Sequence, residues 1–106
     1  MAERRPATDA DAEAAQDQRR LSAAEASREG LRQIIALTGK EPESVTGVER
    51  SKKGWLVTVE VVEDRRIPSS TDILSTYRTE LDDDGELLSY RRLRRYSRGS
   101  GDDGNN

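Results

Sequence analysis

Residues 55–63 read WLVTVEVVE, and this run limits the fold more than any other stretch of the chain. Its β-branched residues favour a pleated, half-buried strand. The period of two puts Trp55, Val57, Val59 and Val61 on one face. Leu56 and Val62 fall on the other, so the strand is expected at the centre of a sheet or partly covered on both sides. A sheet built around it needs neighbours, and the flanking sequence supplies them. A shorter strand is expected at about 45–50, joined through Ser51-Lys52-Lys53-Gly54. A Lys53-Gly54 turn would set Val48 opposite Val59.

The second hairpin is spelled more fully. LDDDGEL, residues 81–87, has the form of a type I turn closed by a glycine bulge, with Gly85 in the left-handed position. That turn pairs Asp82 with Glu86 and Leu81 with Leu87, and it places Ile73, Tyr77, Leu81, Leu87 and Leu93 on one face. Continued without interruption, the same register sets Arg91 opposite Tyr77 and Arg95 opposite Ile73. Arg92 and Arg94 would then share the other face with Tyr90 and Tyr96.

Ahead of the strands the period changes to that of a helix. Ser22-Ala23-Ala24-Glu25 fits a capping box, and Leu21 stands where a hydrophobic staple would. Leu31, Ile34, Ile35 and Thr38 give a narrow apolar face continued by Ala24, Gly30 interrupts the pattern, and Gly39 followed by Pro42 closes it. The expectation is an α+β fold: one N-terminal helix packed on a four-stranded antiparallel meander, with flexible ends. The boundaries are a charged disordered arm at 1–20, a domain at 21–96 and a flexible tail at 97–106. Within the domain the helix spans about 22–38, and the strands about 45–50, 55–63, 72–81 and 86–96.

Composition explains why the ends are left out. Only 32% of residues are hydrophobic and 37% are charged, with no Phe, which is lean for a chain of 106 residues. A domain so small is marginally stable by itself, and a partner surface would complete it. Without Cys or His there is no disulfide, no thiolate or imidazole metal site and no His-activated nucleophile. The many serines therefore lack a base, and no catalytic residue, cofactor or metal site is expected. No apolar run approaches the ~18 residues of a membrane helix, so a cytoplasmic location and no membrane partner are the default.

Several features could still carry function. Asp82-Asp83-Asp84 with Glu86 crowd a tight turn, where Asp satisfies local backbone amides; a calcium loop spreads its ligands over about twelve residues. Trp55 reads first as core and second as an anchor for a partner. EDRRIPSSTD, residues 63–72, is long for a hairpin loop and presents Ile67 and Pro68. YRRLRRYSRG, residues 90–99, holds five arginines and two tyrosines. A phosphate-binding stripe wants its cations on one face, but strand alternation splits these. Residues 40–96 carry 11 Lys and Arg against 12 Asp and Glu, so cross-strand pairing explains most of the charge. Nucleic acid is accordingly a secondary reading.

The order GW, VEVVE, RIP, TDIL, Tyr77, LDDDGEL and YRRLRRY, all within residues 54–99, resembles the gas vesicle protein O family. The resemblance implies an accessory protein in the making of gas vesicles, the gas-filled, protein-walled compartments of some prokaryotes. It implies a role in binding shell or other accessory vesicle proteins, in association with gas vesicles, and no catalysis. The expected partner surface is the sheet around Trp55 with Tyr90, Arg92, Arg94 and Tyr96, aided by Ile67 and Pro68. The alternative is a regulator of vesicle gene expression that binds nucleic acid through Arg91, Arg92, Arg94 and Arg95.

Overall fold

In the computed structural model, residues 20–100 are described. The expectations for the arm and for the end of the tail fall on residues 1–19 and 101–106, outside them. Helix α1 spans Ala23–Thr38. Its capping box is closed: the Ser22 hydroxyl accepts the Glu25 amide at 3.1 Å, and Glu25 Oε1 accepts the Ser22 amide at 2.8 Å. Gly39 ends the helix at φ 70°, donating its N–H to the Ile35 carbonyl at 2.8 Å.

The buried line of α1 runs through Ala26, Gly30 and Ile34, whereas Ala24 is exposed. Gly30 sets this line. A Cβ there would lie 2.7 Å from Val57 Cβ, so only glycine lets the helix settle so closely on the sheet. The residue that interrupted the helical pattern is thus its point of closest contact.

Four antiparallel strands follow: β1 (Glu41–Arg50), β2 (Gly54–Asp64), β3 (Ile73–Asp82) and β4 (Leu87–Ser97), in spatial order β1-β2-β3-β4. The α+β meander expected from the sequence is therefore the observed architecture, and β2 is central. Helix α1 packs across β1, β2 and β3. Ala26, Ile34, Val57, Val59, Val61, Tyr77 and Leu81 form the core, with Leu21, Leu31, Val45, Val48, Trp55 and Leu87 around it.

The first hairpin differs from its expected register. Val48 faces Val57, not Val59, because the turn residues are Lys52 and Lys53. Ser51 closes the turn by donating its amide to the Gly54 carbonyl at 2.9 Å, and its hydroxyl oxygen accepts the Gly54 amide at 3.1 Å. Gly54 belongs to β2, where a Cβ would fall 2.2 Å from the Leu81 carbonyl oxygen. Its smallness serves strand packing and not the turn. A bulge in β1 then brings Val45 opposite Val59.

The second hairpin forms as spelled. Asp82 donates its amide to the Glu86 carbonyl at 2.9 Å, Gly85 takes φ 94°, and Leu81 pairs with Leu87. Beyond it, two register shifts overturn the uninterrupted alternation. Leu88 and Leu93 are extra residues in β4, so Glu80 pairs with Ser89, Tyr77 with Arg92 and Thr76 with Arg94. Arg91 faces Arg78 instead of Tyr77, and Arg95 faces Ser75 instead of Ile73. YRRLRRY is a palindrome with Leu93 at its centre. Without a bulge both tyrosines would share a face, but with one they are divided. Tyr90, Arg92 and Arg95 stand on the helix side; Arg91, Arg94 and Tyr96 stand on the other. Leu93 leaves the apolar set and is 39% exposed.

Candidate partner-binding surface

β4 is the edge of the sheet that α1 does not reach, and from Leu88 to Arg95 each of its residues is exposed. Its two bulge leucines, Leu88 and Leu93, and Tyr90 are among the most exposed large apolar side chains described. Edge strands that stay soluble carry charges and bulges, and this one has both.

On the helix side, Tyr90 lies 6.3 Å from Tyr77 between ring centroids. Arg92 comes within 3.6 Å of Glu63, which also accepts the Ser75 hydroxyl at 2.7 Å and pairs with Lys40 at 3.3 Å. The Ser75 hydroxyl, above all, and then Lys40 hold the Glu63 carboxyl below its ordinary range, against its burial. Burial and the neighbouring Glu63 push the Tyr77 phenol up. Arg92 thus borders a carboxylate already answered from within the sheet.

On the other face, the Arg94 guanidinium lies 4.1 Å from the centroid of the Tyr96 ring, and the Tyr96 hydroxyl donates to Glu60. Trp55 is half-buried against the core, and Arg50 covers its ring at 4.7 Å while pairing with Asp83 at 3.0 Å. Its indole N–H is buried without a partner among the described residues. Trp55 sits near the two hairpins, at the opposite end of the sheet from Ile67 and Pro68. The seven residues nominated from sequence therefore do not form one flat patch. Tyr90, Arg92, Arg94 and Tyr96 meet along the β4 edge, from both of its faces.

The connection between β2 and β3 is held by a charge that sequence reading passed over. Asp72 is fully buried. Its Oδ1 accepts the Arg66 amide at 2.7 Å, and its Oδ2 accepts Arg98 at 3.1 Å and Arg65 at 3.3 Å. Arg98 continues to Glu43 at 2.9 Å and Arg65 to Glu41. The Arg66 amide first, then Arg98 and Arg65, hold the Asp72 carboxyl below its usual range, and Arg98 is held above its own. Arg98, within the segment expected as tail, instead ties the end of β4 to β1 and the connection. The network leaves Ile67, 98% exposed, standing outward beside Pro68. Only the spacing Asp72 to Arg98 across a β3–β4 hairpin could have signalled it.

At the acidic hairpin, Asp82 Oδ1 accepts the amides of Asp84 and Glu86, each at 2.9 Å, which is the work expected of a turn aspartate. Among the described residues no group of three or more acidic side chains is placed to hold a metal, and no helix is long and apolar enough to cross a membrane.

A family model described as "Gas vesicle synthesis protein GvpO" matches residues 9–102. "Gas vesicle protein O" of Streptomyces sp. (strain CB03234) is 50% identical over 70 residues, covering 66% of this chain and 55% of that protein. "Gas vesicle protein O1" of Halobacterium salinarum is 39% identical over 57 residues, 54% of this chain and 48% of the relative. "Gas vesicle protein O" of Haloferax mediterranei is 33% identical over 73 residues, 68% of this chain and 50% of the relative. The chain spans about half the length of the curated relatives it matches. No solved structure matches it.

Proposed function

The chain belongs to the gas vesicle synthesis protein GvpO family, and from that membership we propose that it is a non-enzymatic accessory protein that binds other vesicle proteins during gas vesicle assembly. The observation that carries the reading is β4: a long edge strand, uncovered by the helix, with exposed leucines and a tyrosine set among arginines. Tyr90 and Arg92 from one face and Arg94 and Tyr96 from the other meet a partner that approaches edge-on, with Ile67 and Pro68 extending the contact beyond the end of the strand. Trp55 supports this surface from the core. Apolar vesicle proteins exposed before assembly are prone to aggregate, and a charged adaptor that covers them keeps them competent. Arginines on both faces of a strand fit a wrapped protein contact better than a phosphate track.

The test is capture of each gas vesicle protein encoded with this chain, on purified wild type and on Tyr90→Ala with Arg92→Ala, alongside a salt titration of RNA binding. We expect saturable capture of at least one vesicle protein, weakened by the double substitution, and RNA binding that is weak. RNA affinity with a steep salt slope and no vesicle protein captured would replace the adaptor reading with nucleic-acid regulation.

A further inference from the structure

Two arginines that face each other across the sheet have no answering charge inside it. Arg78 of β3 and Arg91 of β4 are register partners, side by side on the face that α1 leaves open. Like charges directly opposite in a sheet repel, so the arrangement calls for an anion between or above them. Neither side chain has a hydrogen-bonding or ionic partner among the described residues, and Arg78 Nε is buried unbonded. Both line an open cleft of ≈ 260 Å³ with Leu56, Glu80, Ser89 and Tyr90.

We propose that this cleft binds a carboxylate side chain of an acidic, extended segment from a protein partner. The proposal rests on the protein-binding reading above and names the chemistry of the partner. Two guanidinium groups on adjacent strands can grip one carboxylate with charge-assisted hydrogen bonds, and the Ser89 hydroxyl can add a donor. Leu56 gives the wall an apolar surface for an aliphatic neighbour in the bound segment. Glu80 selects among anions. It accepts the Ser51 hydroxyl at 3.1 Å and keeps a negative oxygen at the cleft wall. A phosphodiester chain would carry unbroken negative charge past it, whereas a peptide brings one carboxylate and a backbone N–H for Glu80. A second copy of this chain pairing through β4 would bring the four arginines of each strand together, which like-charge repulsion opposes. An acidic strand along the same edge removes that repulsion, and the open backbone of an edge strand accepts it by strand addition.

The full chain, labelled with nitrogen-15, is titrated with a terminally blocked peptide of serine, leucine and glutamate, its glutamine counterpart, and single-stranded oligothymidylate. Arginine Nε–Hε resonances report the site. We expect the acidic peptide to shift Arg78 and Arg91 more than Arg95, and the glutamine peptide to bind about tenfold or more weaker. Arg91→Glu should lose the acidic peptide, while Arg95→Glu, the same charge change on the helix side, should keep it. Thermal melts identify a misfolded variant, in which case Arg91→Gln takes its place. Equal loss from Arg91→Glu and Arg95→Glu, tighter binding of oligothymidylate, or concentration-dependent self-association as the only response would each overturn the proposal. If peptide binding fails while vesicle proteins are still captured, the cleft assignment falls and the adaptor role stands.

Discussion

Replacing Gly30 with alanine sets helix propensity against packing. In an exposed helix interior the change stabilises by about 1 kcal/mol. Here the added Cβ would meet Val57 Cβ and Cγ1, each at 2.7 Å, and Cγ2 at 3.1 Å. A Cβ is fixed to its own backbone, so no rotamer of Val57 relieves the contact, and α1 or β2 must shift. Overpacking of this kind costs roughly 1–3 kcal/mol, and a clash that no rotamer can relieve lies at the upper end. After the propensity gain is subtracted, Gly30→Ala should destabilise by about 1–2 kcal/mol. For an ordered region of this size that lowers Tm by about 4–16 °C. Thermal melts followed by far-UV circular dichroism, with a urea midpoint as a second reading, measure it. Adding Val57→Ala removes the two γ contacts but not the β contact, so the double variant should lose less than the sum of the two single losses. A Gly30→Ala protein that melts at or above the wild-type temperature would refute the close helix–sheet contact.

Val59→Asp should abolish cooperative melting, since Val59 is fully buried and an unpaired carboxylate there costs several kcal/mol, roughly the whole stability of a small domain; a soluble variant with a sharp melt would contradict the assigned core. The Asp72 carboxyl is held below its ordinary value by the Arg66 amide, Arg98 and Arg65, so the unfolded chain binds its proton more readily than the folded one. The stability it confers is complete above the unfolded value, about pH 4, and is lost as pH falls through the lower folded value. Wild-type Tm should therefore drop more steeply below about pH 4 than that of Asp72→Asn, and parallel curves would remove Asp72 from this role. Arg92→Ala should lower stability by at most about 1 kcal/mol, because its pair with Glu63 is half-exposed, while Arg91→Ala should leave Tm unchanged or slightly raised by relieving Arg78. The reverse order in paired melts would restore the unbulged register.

What the sequence made legible was local. The capping box at Ser22 and Glu25 needs four residues, the acidic turn needs seven, and the central strand announces itself through period-two valines. What stayed hidden depended on contacts between distant segments. Leu88 and Leu93 look like ordinary strand leucines, and nothing in their neighbours says that each is an extra residue opposite β3. That pair of bulges sorted the arginines into faces other than those alternation gives, and brought Arg91 against Arg78. Gly30 and Gly54 looked like a flaw in a helix and a piece of a turn, but Gly30 lets the helix close on Val57 and Gly54 lets β2 close on the β3 backbone at Leu81. Asp72 and Arg98 are 26 positions apart and join only because the β3–β4 hairpin returns the chain.

The adaptor role through β4 is most directly tested by backbone amide exchange on the wild-type chain, free and in complex with a captured vesicle protein. Strand addition at an uncovered edge protects that strand's outward amides. We expect new protection concentrated in Leu87–Ser97, with the outer face of Ala23–Thr38 exchanging as it does in the free protein. Protection confined to the helix, or spread evenly with none gained in β4, would contradict it.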